Sequence, residues 1–285
     1  MSTAAVAGSG RRRVPSLAPT YVVLTLMAIF SLYPIVMLSF NSLKTNREIG
    51  ANPLGPPVGE IQMQNYGKAW VNGRYAVTMR NSAVISAGTA AMVLVAAGLA
   101  GYSLARLRPR GGDVLLVVFL VSSAMPLLLF LFPLFFMWKH LGLINNLAGV
   151  MIIHAARFAT FSTFLLRAYM VSIPRDFEDA ALIDGANRLQ VFTRIIVPIT
   201  KPGFLTVALI VMLWGWNEFL VSVTFIHDPN LKPVATSLYA FASRFDRDWA
   251  LTNAASVLML APAVILFLIF QRQFIQGMTQ GAVKG

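Results

Sequence analysis

Ile173-Pro-Arg-Asp-Phe-Glu-Asp-Ala-Ala-Leu-Ile-Asp-Gly-Ala-Asn-Arg-Leu-Gln-Val-Phe-Thr-Arg-Ile-Ile-Val-Pro-Ile-Thr-Lys-Pro-Gly203 is a polar island between two long apolar runs. It gathers Arg175, Asp176, Glu178, Asp179, Asp184, Arg188, Arg194 and Lys201 in a chain otherwise poor in charge. Such a segment cannot lie in hydrocarbon. Its grammar is two short helices with a corner. Pro174 suits a first helical turn, and Asp176, Glu178 and Asp179 favour the positive end of a helix dipole. Gly185 supplies a left-handed residue to end the first helix, a second runs from about Asn187 to Val197, and Pro198 and Pro202 stop it. An amphipathic loop resting on lipid headgroups is the plainer reading. The acid-rich leading helix is wrong for an anionic leaflet, and Ala180 and Ala181 are small enough for close packing on protein. The segment reads as a docking elbow.

Working outward, the 285 residues are 57% hydrophobic and 12% charged, with a mean hydropathy of +0.68. Soluble domains carry about 25% charged residues, so the chain reads as an all-α integral membrane protein. Cysteine is absent, which excludes disulfide, Cys-metal and Cys-nucleophile chemistry. The net charge of +12 does not imply nucleic acid, because the basic residues sit at the ends of apolar runs and form no stripe with aromatics.

Six spans follow from the charge-free stretches. No charge falls between Arg13 and Lys44, more than the about 20 residues that cross a bilayer and too long for a signal-peptide core, which places a retained span near Tyr21–Phe40. Two more occupy Asn81–Ala105 and Val114–Trp138, the latter with Pro126 and Pro133 as tolerated kinks. The others run near Leu147–Val171, Phe204–Ile226 and Asn253–Phe270. Residues 1–18 form an N-terminal tail, 19–271 the membrane domain with the elbow at 173–203, and 272–285 a C-terminal tail. Arginine clusters at Arg11–Arg13 and Arg106–Arg110 place both tails and the elbow in the cytoplasm. The connection Lys44–Arg80 is either a contact surface for an external partner or a cap over the bundle, with Tyr66, Trp70 and Tyr75 lying at the membrane surface.

Ionisable groups at membrane depth face a partner or an aqueous path. His154 and Arg157 lie one turn apart in the fourth span; Trp214, Asn217, Glu218 and Ser222 lie in the fifth. Counting 1.5 Å per residue puts Arg157 and Glu218 at nearly the same depth, which predicts an ion pair beside a substrate path or within a structural polar network. Trp214, Asn217 and Ser222 offer an aromatic face and polar groups suited to a sugar, whereas Trp216 packs on lipid or helix. No catalytic apparatus emerges: no G-x-x-x-x-G-K-[ST] loop, no H-E-x-x-H, and three dispersed histidines.

The pattern E-D-A-A-L-I-D-G-A followed by F-x-x-I-x-x-P resembles the "EAA" loop of permease subunits of binding-protein-dependent ABC importers. The match runs through Pro174, Ala180, Ala181, Asp184, Gly185, Ala186, Phe192, Ile195, Pro198 and Pro202. Asp179, next to Glu178, stands where the family has glutamate, which leaves open which acid meets the ATPase. N-Y-G-K-A-W, L-A-R-L, W-N-E-F and the tail F-I-Q-G-M-T-Q-G-A-V-K-G are similar to the maltose-type carbohydrate permeases, specifically the smaller six-span subunit. The resemblance implies the type I ABC importer permease fold, with coupling helices that seat in a cleft of the ATPase through Glu178, Asp179, Ala180, Ala181, Asp184, Gly185 and Ala186. It further implies a second permease subunit, two ATPase copies that bind the ATP and Mg2+, an extracellular solute-binding protein, a sugar as cargo, a bacterial or archaeal cytoplasmic membrane, and no cofactor in this chain. A proton- or ion-coupled secondary transporter, with His154 and Glu218 as its coupling site, is the alternative.

Overall fold

The computed structural model describes residues 18–244 and 248–282, with side chains described for 18–243 and 248–272. The arginine cluster at 11–13 lies outside the described residues, as do the last three positions of the C-terminal tail. All regular structure among the described residues is helical.

The chain enters with α1 (Ala18–Ser42), then two short helices, α2 (Asn46–Ala51) and α3 (Gln64–Asn72), before α4 (Tyr75–Tyr102), which ends in a π turn (Ser103–Leu107). Then come α5 (Gly112–Ala124), α6 (Leu128–His140) and α7 (Leu147–Val171). The elbow is α8 (Asp176–Ile183) and α9 (Arg188–Val191), the latter running through a second π turn (Phe192–Ile196) into α10 (Val197–Ile199). The chain finishes with α11 (Lys201–Asn217), α12 (Leu220–Phe225), α13 (Val234–Arg244) and α14 (Trp249–Ala282). Among the described residues four helices are long and apolar enough to cross a membrane, and the number rises to as many as six if each of two bent pairs counts as one span.

The parallel pair α4 and α7 forms the centre, Gly88 lying against Met151 and Gly101 against Leu166 and Arg167. The buried side of α4 is built from Thr78, Ser82, Ser86, Thr89, Val93, Ala97 and Gly101, small residues three or four apart that let a neighbouring backbone approach closely. A methyl group at Gly101 would stand 3.2 Å from the amide nitrogen of Arg167 on α7, which marks a close approach of the two backbones. Leu166, Met170, Val191, Ile196, Val207 and Val211 extend this core from α7 through the elbow to α11. A second cluster joins Ala69 and Tyr75 to Val234, Phe241, Leu251 and Ala255.

Two spans predicted as continuous are broken, each for a local reason. Pro126 forces the preceding Met125 out of helical geometry (φ −78°, ψ 125°), and α5 and α6 meet there at 99°. Pro133, by contrast, stays inside α6. The fifth span ends its main helix at Glu218 (φ −72°, ψ 127°) and resumes as α12.

The connection before α4 is a cap. Lys44 is fully buried, and its ammonium donates to Asn41 Oδ1 (2.9 Å), Asn52 O (2.7 Å) and Gly55 O (2.7 Å), so all three donors are used. Tyr75, expected at the membrane surface, is instead buried, its hydroxyl donating to Ala255 O at 2.6 Å. Trp216 packs on α14, donating to Met259 O at 3.0 Å.

Candidate functional site

The elbow forms where the sequence places it, with altered detail. Pro174 precedes the first helix, and the three acids Asp176, Glu178 and Asp179 occupy its first turn. Gly185 takes φ +84° with open space around it, so backbone conformation alone requires glycine there. Asn187 and Gln190 form a reciprocal capping box that starts the second helix. That helix outlasts the expected stop at Pro198: the π turn shifts the bonding register, and the chain turns only at Thr200, where it meets α11 at 79°.

The two adjacent acids have different surroundings. Glu178 is buried and pairs with Arg106, which the π turn at the end of α4 aims inward. Arg106 also donates to Met170 O (3.2 Å), Ile173 O (2.8 Å) and Pro174 O (3.4 Å). One guanidinium thus ties the end of α4, the end of α7 and the first elbow helix together. Asp179, Ala180, Asp184 and Gly185 are exposed, and Ala181 and Ala186 are half-buried against the core. Phe177, Ile183 and Leu189 add exposed apolar side chains to the same knob, Ile183 being 86% exposed. Sequence reading missed both Arg106, which reads as topology charge, and these three apolar residues, which read as ordinary helix filling.

The second site lies in the opposite half of α7. A cavity of about 1090 Å³ is bounded by Ser122, Ser123, Pro126, Arg157, Thr160, Phe161, Trp214, Asn217 and Glu218 among others. The break between α5 and α6 contributes one side of it, α7 and the α11–α12 break the other. Trp214 packs against Phe158 (5.1 Å between ring centres) and Phe161 (5.4 Å), forming an aromatic wall.

The expected Arg157–Glu218 ion pair is not formed. The carboxylate of Glu218 is drawn back onto the first turn of α12, accepting from Val221 N (2.9 Å), Ser222 N (3.2 Å) and the Ser222 hydroxyl (3.4 Å). His154 Nε2 stands 3.5 Å from Glu218 Oε2 without a hydrogen bond to it. Four polar groups near one carboxylate leave no need for the guanidinium. Arg157 is exposed toward the cavity and lies over the Phe158 ring at 5.5 Å. Of the six residues expected along the path, Arg157, Trp214, Asn217 and Glu218 line it. Ser222 and His154 are buried behind Glu218 and act on the wall from within.

Comparison with known proteins places these features. The sequence profile of the family described as binding-protein-dependent transport system inner membrane component matches residues 94–280. The chain is 28% identical over 265 residues to the sulfoquinovosyl glycerol transport system permease protein SmoH of Agrobacterium fabrum, covering 93% of each. It is 29% identical to the trehalose transport system permease protein SugB of Mycobacterium tuberculosis, covering 92% of this chain and 95% of that one. Among solved structures, a bacterial ABC transporter involved in the import of the acidic polysaccharide alginate has a chain of the same fold, with a TM-score of 0.75 and 24% identity over 90% of this chain and 95% of that one.

Proposed function

Because the chain belongs to the family of binding-protein-dependent transport system inner membrane components, we propose that it is the sugar-conducting permease subunit of an ABC importer, paired with a second permease subunit. The observation that carries this reading is the elbow: an exposed, acid-edged helix pair pinned by Arg106 and Glu178 to the two central membrane helices. ATP and Mg2+ belong to two copies of a separate ATPase, and this subunit performs no chemistry of its own. A solute-binding protein delivers the cargo from outside. Relatives whose names specify saccharides support a saccharide cargo, and their names span a sulfonated and a neutral one.

Both chain ends and the elbow face the cytoplasm in this reading. From Arg157 to Val171 the helix rises about 20 Å at 1.5 Å per residue, so the cavity and the elbow are separated by most of the membrane thickness. Closure of the ATPase dimer moves the elbow. Because Arg106 and Glu178 make it one body with the ends of α4 and α7, the displacement tilts those helices around the cavity. Asp179, Asp184 and the exposed Ile183 meet the ATPase cleft, whereas Glu178 serves the internal tie. The ion-coupled alternative has its two residues side by side, His154 Nε2 3.5 Å from Glu218, but His154 is fully buried and the Glu218 carboxylate is taken up by the first turn of α12.

Site-directed crosslinking tests the reading. Ile183→Cys should form a crosslink to the ATPase that changes in yield when ATP is bound and hydrolysis is blocked. Capture of Ile183→Cys only by reagents confined to the extracellular side would overturn it.

A further inference from the structure

We propose that the cavity admits an anionic saccharide, one bearing a carboxylate or sulfonate, and that the guanidinium of Arg157 selects it. The inference rests on reading the cavity as the transport path. Arginine stays charged under all physiological conditions, and a charge about 15 Å into a membrane-length helix persists only where a counter-charge or an aqueous path compensates it. Among the described residues no carboxylate lies within ion-pair range of Arg157. Its neighbour is the face of Phe158 at 5.5 Å, and the side chain is exposed at the cavity wall. The acid in the same wall, Glu218, accepts from two backbone amides and a hydroxyl, so its oxygens are already engaged within the chain.

The rest of the wall supplies what any saccharide needs. The rings of Phe161 and Trp214 offer flat faces for the C–H side of a sugar ring, and Thr160, Asn217, Ser122 and Ser123 offer polar atoms for its hydroxyls. None of these requires charge. What Arg157 adds is a planar, five-donor group matched to a carboxylate or sulfonate, a feature a neutral sugar leaves unused in a low-dielectric site. A volume of about 1090 Å³ holds more than one sugar ring, since pockets for drug-sized ligands span about 300–1000 Å³.

The test uses the purified complex of this chain with its second permease and ATPase subunits in nanodiscs, titrated with a uronate-containing disaccharide and with its neutral counterpart. Wild type should bind the uronate about 10- to 100-fold more tightly, the range of one hydrogen-bonded charge. Added salt should reduce that preference. Arg157→Gln should bring the ratio to near one, and Arg157→Lys should restore part of it. Equal binding of the two sugars by wild type, or no binding of either, would overturn the proposal. So would an Arg157→Gln complex that loses its second permease while keeping the preference, because the guanidinium would then pair across the subunit interface. Stimulation of ATP hydrolysis by the binding protein, measured on the same preparation, separates the two levels: stimulation without a charge preference sinks only this inference, whereas no stimulation sinks the transport reading beneath it.

Discussion

At the elbow end of the α4–α7 pair, Arg106 is buried and donates to a carboxylate and three backbone carbonyls. In the opposite half of the same pair, Arg157 is exposed over an aromatic ring with no carboxylate in ion-pair range among the described residues. Two identical side chains, each near a glutamate, are thus put to opposite uses. At the elbow the acid and base satisfy one another and make a rigid joint. At the cavity the acid is turned inward to cap a broken helix, and the base lies exposed over an aromatic ring. Charge in a membrane protein is informative only together with its partners: Arg106 and Glu178 meet and form a joint, whereas Arg157 and Glu218 do not pair.

The sharpest way to break this contrast is to remove one half of the joint. Arg106→Ala or Glu178→Ala leaves a buried charge without its partner and should cost about 3–5 kcal/mol. Thermal unfolding and the yield of intact complex would report it. The double variant should lose less than the two single losses added together, and strict additivity would mean the pair is not coupled.

At the cavity, Glu218→Gln keeps the shape but weakens the capping of α12, for an expected loss of about 1–3 kcal/mol. It should leave the position of the elbow unchanged, as judged by crosslinking from Ile183→Cys. A loss as large as that of Glu178→Ala would erase the distinction between the two glutamates.

Gly185→Val tests the corner between the elbow helices. Its surroundings are open, so the penalty is that of a left-handed residue, about 1–2 kcal/mol for an ordinary side chain and more for a β-branched one. ATP hydrolysis should become less responsive to the binding protein while the complex still assembles. Gly185→Asn should behave nearly as wild type, since asparagine tolerates positive φ.

The smallest effect belongs to the segment between α1 and α4. Hydrogen bonds from Val58 N and Gly59 N hold the Glu48 carboxyl below its ordinary range. The depressed value in the folded state means that its contribution is present above the unfolded carboxylate range and is lost as pH falls through the folded value. Limited proteolysis of the 52–62 segment should therefore quicken at acid pH, and Glu48→Gln should remove that pH dependence.

Most of the architecture was legible because membrane helices write themselves as uncharged runs: Leu147–Val171 has the same bounds in sequence and structure. The corner at Gly185 was legible because only a few residues accept its backbone geometry. Breaks were less so. Pro126 and Pro133 look alike in sequence, yet only the first ends a helix. Glu218 reads as an intramembrane charge in search of a cation, and its actual role depends on where the chain bends.

What the sequence determined by itself is the inventory: an all-helical membrane chain, a polar elbow with a glycine corner, and a few ionisable groups too deep to be idle. Those follow from local chemistry, namely the hydropathy of runs and the allowed dihedrals of single residues. Which arginine meets which glutamate was decided only by tertiary structure. Residues 72 positions apart, Arg106 and Glu178, become partners because a π turn rotates one of them inward. Arg157 and Glu218, matched in depth, do not pair, because the backbone amides of Val221 and Ser222, a helical turn further along the chain, offer the carboxylate a nearer set of donors.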